Sequence, residues 1–156
     1  MSDDVFANLH SLGIELTEPG PPRGSYQPIV TDRGIAYLSG SLPFVNGELL
    51  HPGLVGRDVT AEQAAEAAAQ CVKNSLSVIH AGIGGLDKVL RVLKVVGFVA
   101  SAPEFHAQPQ VVNGASDLIA AVFGDIGRHA RSAVGVASLP LGSCVEVEMV
   151  LAIAES

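Results

Sequence analysis

Residues Gly127 to Glu148 read G-R-H-A-R-S-A-V-G-V-A-S-L-P-L-G-S-C-V-E-V-E, a stretch that sets Arg131, Glu146 and Glu148 among small and β-branched neighbours. Arg131 lies between Ala130, Ser132 and Ala133, with no adjacent carboxylate in sequence to neutralise it. It is free to receive an external anion. A guanidinium offers planar paired donors that meet a carboxylate at two points, which a lysine ammonium cannot reproduce. A small organic acid is therefore the natural ligand.

Strand-like runs over Arg131 to Ala137 and Cys144 to Ile153 flank Pro140-Leu141-Gly142 and read as a hairpin. If Leu139 pairs with Cys144, Arg131 shares a face with Glu146 and Glu148. The residue opposite Glu146 is then Ala137, and its offset from Arg131 spans roughly 20 Å at about 3.3 Å per residue. One chain does not bring Arg131 beside Glu146 in that register. A site using both is expected to form between subunits, or through strong curvature. Taken alone, Arg131 reads equally well as a solvated edge-strand charge and Glu146 as the polar side of a half-exposed strand.

Other constellations carry less. His10, His51, His80, His106 and His129 are scattered without metal-ligand spacing, so no metal is expected. Gly82-Ile83-Gly84-Gly85 follows a helix and precedes a strand, the reverse of a phosphate-cradling loop, so no nucleotide cofactor is expected. Ser39 and Ser41 lack the G-x-S-x-G setting of a serine nucleophile, although Ser39 has a hydrogen bond to donate.

The elements that must position these residues fit one domain over 1–156, with an N-terminal extension and linker over 1–23 and a core over 24–156. Nearly half of the residues are hydrophobic and there is no tryptophan, so Val, Leu, Ile and Ala must build the core. A net charge of −7 opposes binding to phosphate backbones, and nucleic acid is not an expected partner. Cys71 and Cys144 form no C-x-x-C motif and read as reduced thiols of a cytoplasmic protein. The opening M-S-D-D-V-F-A-N-L-H is acidic and lacks a long apolar run, which fits neither a signal peptide nor a membrane anchor.

Asp4 to Leu12 reads as a short amphipathic helix ended by the proline- and glycine-rich Glu18 to Gly24. Ile29-Val30 and Ile35 to Ser39 read as a hairpin about Asp32-Arg33-Gly34, and Asn46-Gly47 is a second tight-turn signal. Thr60 with Gln63 predicts a capping box for a helix over Ala61 to Ala81. A strand from Val89 to Ala100 and a helix over Val111 to Phe123 follow, closed by Pro103 and Gly124 respectively. The order predicts an α+β fold with two helices packed on one face of a mixed sheet.

Several short motifs occur in sequence order: Gly24-Ser25-Tyr26, Tyr37-Leu38-Ser39-Gly40-Ser41-Leu42-Pro43, Val112-Asn113, Ala130-Arg131-Ser132, Leu139-Pro140 and Val145-Glu146-Val147-Glu148. Together they resemble the Rid family, the reactive intermediate deaminases, also called YjgF or L-PSP endoribonuclease proteins, from about Gly24 to the C-terminus. The resemblance implies a chorismate-mutase-like α+β fold in a homotrimer, with sites in the clefts between subunits. It implies that Arg131 clamps a substrate carboxylate and Glu146 positions or activates water, while Tyr26, Ser39, Gly40 and Asn113 line the pocket. The implied reaction is hydrolysis of imines or enamines such as 2-aminoacrylate to 2-keto acids and ammonia, without metal or cofactor. A noncatalytic trimer that binds small carboxylates, and an endoribonuclease or translation inhibitor, are the alternatives the family brings. The chain departs from the usual pattern at Ala133, where many deaminases carry cysteine, at Arg128-His129, where a proline-containing sequence is usual, and in the Phe44 to Arg57 insertion. These departures resemble a divergent subgroup.

Overall fold

Local signals set most of the elements of the computed structural model, which describes residues 4–155. The carboxylate of Asp4 accepts hydrogen bonds from the Phe6 and Ala7 amides and starts α1 (Val5–Ser11). Arg33 and Gly34, with φ of 51° and 78°, turn β1 (Ile29–Asp32) into β2 (Ile35–Leu38). Asn46 and Gly47, with φ of 51° and 84°, do the same between β3 (Phe44–Val45) and β4 (Glu48–Leu49). Both are tight turns whose two central residues must be left-handed.

The capping box at Thr60 and Gln63 opens α2 (Ala61–Ile83), and Gly84 in the left-handed region closes it. After β5 (Val89–Ala100), α3 (Gln108–Phe123) begins three residues earlier than its apolar periodicity predicts. Pro109 in its first turn explains the difference, since the missing N–H has no helical partner to lose there. β6 (Ala130–Val136) and β7 (Val145–Ile153) complete the chain.

The five-stranded sheet runs β1-β2-β7-β5-β6, and this overturns the expected hairpin of the last two strands. β5 lies between them, antiparallel to β7 and parallel to β6. Sequence adjacency and the turn at Pro140 to Gly142 suggested direct pairing, whereas β6 instead joins β5 through the α3 crossover. Parallel neighbours need such a long connection. Its apolar face lies against the sheet, with Val111, Val112, Ala115, Ile119 and Val122 buried.

β7 alternates cleanly, burying Val145, Val147, Met149, Leu151 and Ile153 under the helices. Its other residues, Glu146 and Glu148 among them, face away from that layer. Within the expected extension, α1 packs on the core, contributing Val5 and Leu9 to it, and Asn8 donates to the Val122 carbonyl at 2.9 Å. On the uncovered sheet face, Val30, Tyr37 and Val134 are 52%, 51% and 42% exposed.

The two long helices approach most tightly at Gly114, where a β-carbon would overlap the Ala65 carbonyl of α2. At an exposed helix position alanine is favoured over glycine by about 1 kcal/mol. Gly114→Ala should instead destabilise the fold by about 1–3 kcal/mol through overpacking, read as a lower urea midpoint. A raised midpoint would show that the helices separate without cost.

Candidate functional site

The predicted site residues fall into two separate groups. Arg131 pairs in register with Val95, which is fully buried under the helices, so its side chain leaves β6 on the helical side. There its Nη1 donates to Asn113 Oδ1 at 2.7 Å and to Ser116 Oγ at 3.2 Å. Both partners are neutral, which leaves the guanidinium charge uncompensated. Asn113 and Ser116 stand three apart on α3 and therefore share a face.

The second group sits where β2 ends. Ser39 Oγ donates to the Gln27 carbonyl at 2.6 Å, so its single proton is used and its lone pairs remain for a ligand. Ser41 forms an isolated bridge with Val147, drawing this segment against β7. Gly40 lies directly beside Glu146, whose side-chain carbons would stand 2.8 and 3.0 Å from any added β-carbon. A side chain at this point would displace the carboxylate. Tyr26, Ser39 and Gly40 line a groove of about 480 Å³ together with Arg23 and Phe44. The guanidinium of Arg23 stacks 4.5 Å from the centre of the Phe44 ring.

Tyr26, Ser39 and Gly40 share a groove, Glu146 adjoins it at Gly40, and Asn113 and Arg131 are brought together elsewhere, so the two groups do not meet. Glu146 pairs with Phe98 and Arg131 with Val95, three residues along β5, with that strand between them. The backbones are separated by roughly 10 Å along the sheet and about 10 Å across it. The expectation that Arg131 and Glu146 share a face fails, because it relied on the hairpin that does not form. Their separation within one chain nevertheless stands, for a different reason.

Burial raises the Glu146 carboxyl above the ordinary glutamate range, and the negative charge of Glu148 two residues on adds to the effect. Both thiols are buried: desolvation pushes Cys71 well up, with the charges of Cys144 and Glu146 adding to it, and pushes Cys144 to about 11. Neither is poised as a thiolate nucleophile. Among the described residues, no three His, Cys, Asp or Glu side chains converge as a metal ion would require. No helix among them is long and apolar enough to cross a membrane.

Sequence reasoning missed Ser116, His129 and Arg23. His129 Nε2 lies 2.8 Å from Ser116 Oγ, joining the Arg131 cluster. The spacing signals were present: Ser116 is one helical turn from Asn113, and His129 precedes Arg131 by the two-residue step of a strand.

Two helices over one face of a mixed sheet, with an arginine at its edge and a glutamate on its open face, define an α+β fold. The family described as YjgF/chorismate mutase-like, putative endoribonuclease, matches residues 7–154. The chain belongs to this family, the Rid proteins. Protein TCP17 of Trypanosoma cruzi is 43% identical over 148 residues, covering 94% of this chain and 92% of that protein. The crystal structure of Atu1372, a protein of unknown function from Agrobacterium tumefaciens, is 44% identical with a TM-score of 0.90, covering 96% and 92% of the two chains. RidA from an Antarctic Psychrobacter is 26% identical with a TM-score of 0.61, covering 90% of this chain and 98% of that one. The chain is therefore far nearer in shape to Atu1372 than to that RidA.

Removing the charge of Glu148 should relax the carboxyl beside it. In Glu148→Gln, the Glu146 titration followed by side-chain carboxyl carbon shifts should move to lower pH, towards an ordinary glutamate. An unmoved midpoint would mean that the two carboxylates do not sense each other.

Proposed function

We propose that this protein hydrolyses reactive imino acids of the 2-aminoacrylate class to 2-keto acids and ammonia, in sites shared between copies of the chain in a homotrimer. Arg131 and Asn113 of one copy form the carboxylate-holding half. Glu146, Gly40, Ser39 and Tyr26 of the next form the half that holds water. The observation that carries the reading is this division: a guanidinium held only by neutral partners at one edge, and a carboxylate with a raised pKa on the open sheet face.

An imino carbon is already electrophilic, so the site need only fix the carboxylate and align one water. Glu146 takes a proton from that water as its oxygen bonds to carbon, and the imine nitrogen is protonated to give a carbinolamine. Glu146 then relays the hydroxyl proton to the amine, and the C–N bond breaks so that ammonia leaves as the keto group forms. A carboxyl held above its usual range both accepts and returns a proton more evenly near neutral pH. The substrate supplies its own electrophile, which agrees with a site lacking a thiolate.

Other family names favour RNA cleavage, but a chain with net charge −7 offers phosphate backbones an unfavourable field. RNA cleavage that persisted in Arg131→Ala would support that activity instead. Saturable 2-keto-acid binding without turnover of a freshly generated imine would support a noncatalytic carboxylate sensor.

Arg131→Ala and Glu146→Gln should each abolish most ammonia release from a freshly generated imino acid while remaining folded and oligomeric. Refolding the two variants together should restore about a quarter of wild-type activity, because a random mixture gives one intact site in four when each site draws Arg131 and Glu146 from different copies. If the mixture stays as inactive as its components, the shared site is wrong.

A further inference from the structure

We propose that His129 is a positioning residue that acts through Ser116 to hold Arg131 in its carboxylate-binding pose. The inference rests on the reading of Arg131 as an anion clamp, and it extends that reading to two residues outside the expected pocket.

The argument is one of donors and acceptors. His129 Nδ1 lies 2.7 Å from the Gly127 carbonyl, which can only accept, so Nδ1 carries the proton. In the neutral ring Nε2 is then an acceptor, and at 2.8 Å it takes the hydroxyl proton of Ser116. With that proton committed, Ser116 Oγ turns its lone pairs towards Arg131 Nη1, 3.2 Å away. Asn113 Oδ1 receives the same nitrogen at 2.7 Å. A backbone carbonyl thus selects the imidazole tautomer, the tautomer orients a hydroxyl, and the hydroxyl helps anchor a guanidinium.

The origin of this chain of bonds is rigid. Gly127 is buried, and a β-carbon there would stand 2.8 Å from the Ile119 carbonyl of α3. The next carbonyl, that of Arg128, accepts from Arg91 Nη2 of β5 at 2.9 Å. Gly127 is thus packed closely against α3, and the Arg128 peptide is bonded to β5, the strand beside β6. None of these partners carries a negative charge, so the guanidinium is positioned without being neutralised. An acidic partner would have held Arg131 as firmly but would have competed with a carboxylate ligand.

Paired substitutions test the assignment. Glutamine places its terminal amide near the position of Nε2 and can still accept from Ser116, whereas asparagine reaches only the position of Nδ1. His129→Gln should keep 2-oxobutyrate affinity within about twofold of wild type, and His129→Asn, His129→Ala and Ser116→Ala should each weaken it by about three- to tenfold, the worth of one hydrogen bond. The Ser116→Ala/His129→Ala double variant should bind no more weakly than the weaker single variant, because both break the same connection. Additive losses, or equal affinities for the Gln and Asn variants, would overturn the proposal.

A second readout needs no ligand and no turnover. The guanidinium signal of Arg131, assigned by its disappearance in Arg131→Lys, should exchange with solvent faster in nitrogen-15 spectra of His129→Ala than of wild type. Unchanged exchange would also overturn the positioning role, whereas missing ammonia release with altered exchange would count only against the deaminase reading.

Discussion

A parallel strand pair cannot be closed by a short turn, and the geometry of this protein depends on that constraint. Because β6 runs parallel to β5, the chain must cross the sheet between them, and it does so as α3. The crossover covers one face and carries Asn113 and Ser116 to the edge where Arg131 emerges. It also consigns Glu146 to the opposite side, since β7 spends its alternate residues on the same helical layer. Gly114 lies next to Asn113 at the tight approach of α2 and α3, so the packing of the layers and the placement of a polar residue at the site are parts of one contact.

Electrostatics divide along the same line. The guanidinium is held by neutral acceptors, while the carboxylate is half-buried with a second carboxylate nearby. Each group is left in a state that an opposite charge would relieve. In the proposed assembly, an anionic substrate bound by Arg131 carries the reacting carbon towards Glu146, and the protein avoids a direct ion pair that would quench both groups.

Local chemistry was the most legible part of the sequence. Thr60 with Gln63, Asn46-Gly47 and Val89 at the start of the long apolar strand all act within a few residues, and each marks the element observed. Strand neighbours are decided by tertiary packing, and there the reading of Arg131 to Ile153 as a hairpin failed. Period-two alternation identifies the faces of a strand but does not say which strand lies beside it. The near-continuous apolar run of β5 was a clue, since such a strand suits the interior of a sheet better than its margin. The motif residues Arg131, Glu146, Tyr26, Ser39, Gly40 and Asn113 were found through resemblance, whereas Ser116 and His129 became visible only when α3 and β6 were brought together.

The placement of Arg131 at the β6 margin and Glu146 on the open sheet face has a consequence for symmetry. A contact that brings one copy's arginine to another copy's glutamate uses two different patches, so it is heterologous rather than self-complementary. An open row of copies then leaves one unused patch at each end, of opposite kinds, until the series of contacts returns to its starting point. Closure into a ring is what satisfies them all, and the angle between the strand margin and the sheet face sets how many copies the ring contains. A small rotation of β6 would leave each pairwise contact chemically intact while turning a closed ring into an open spiral.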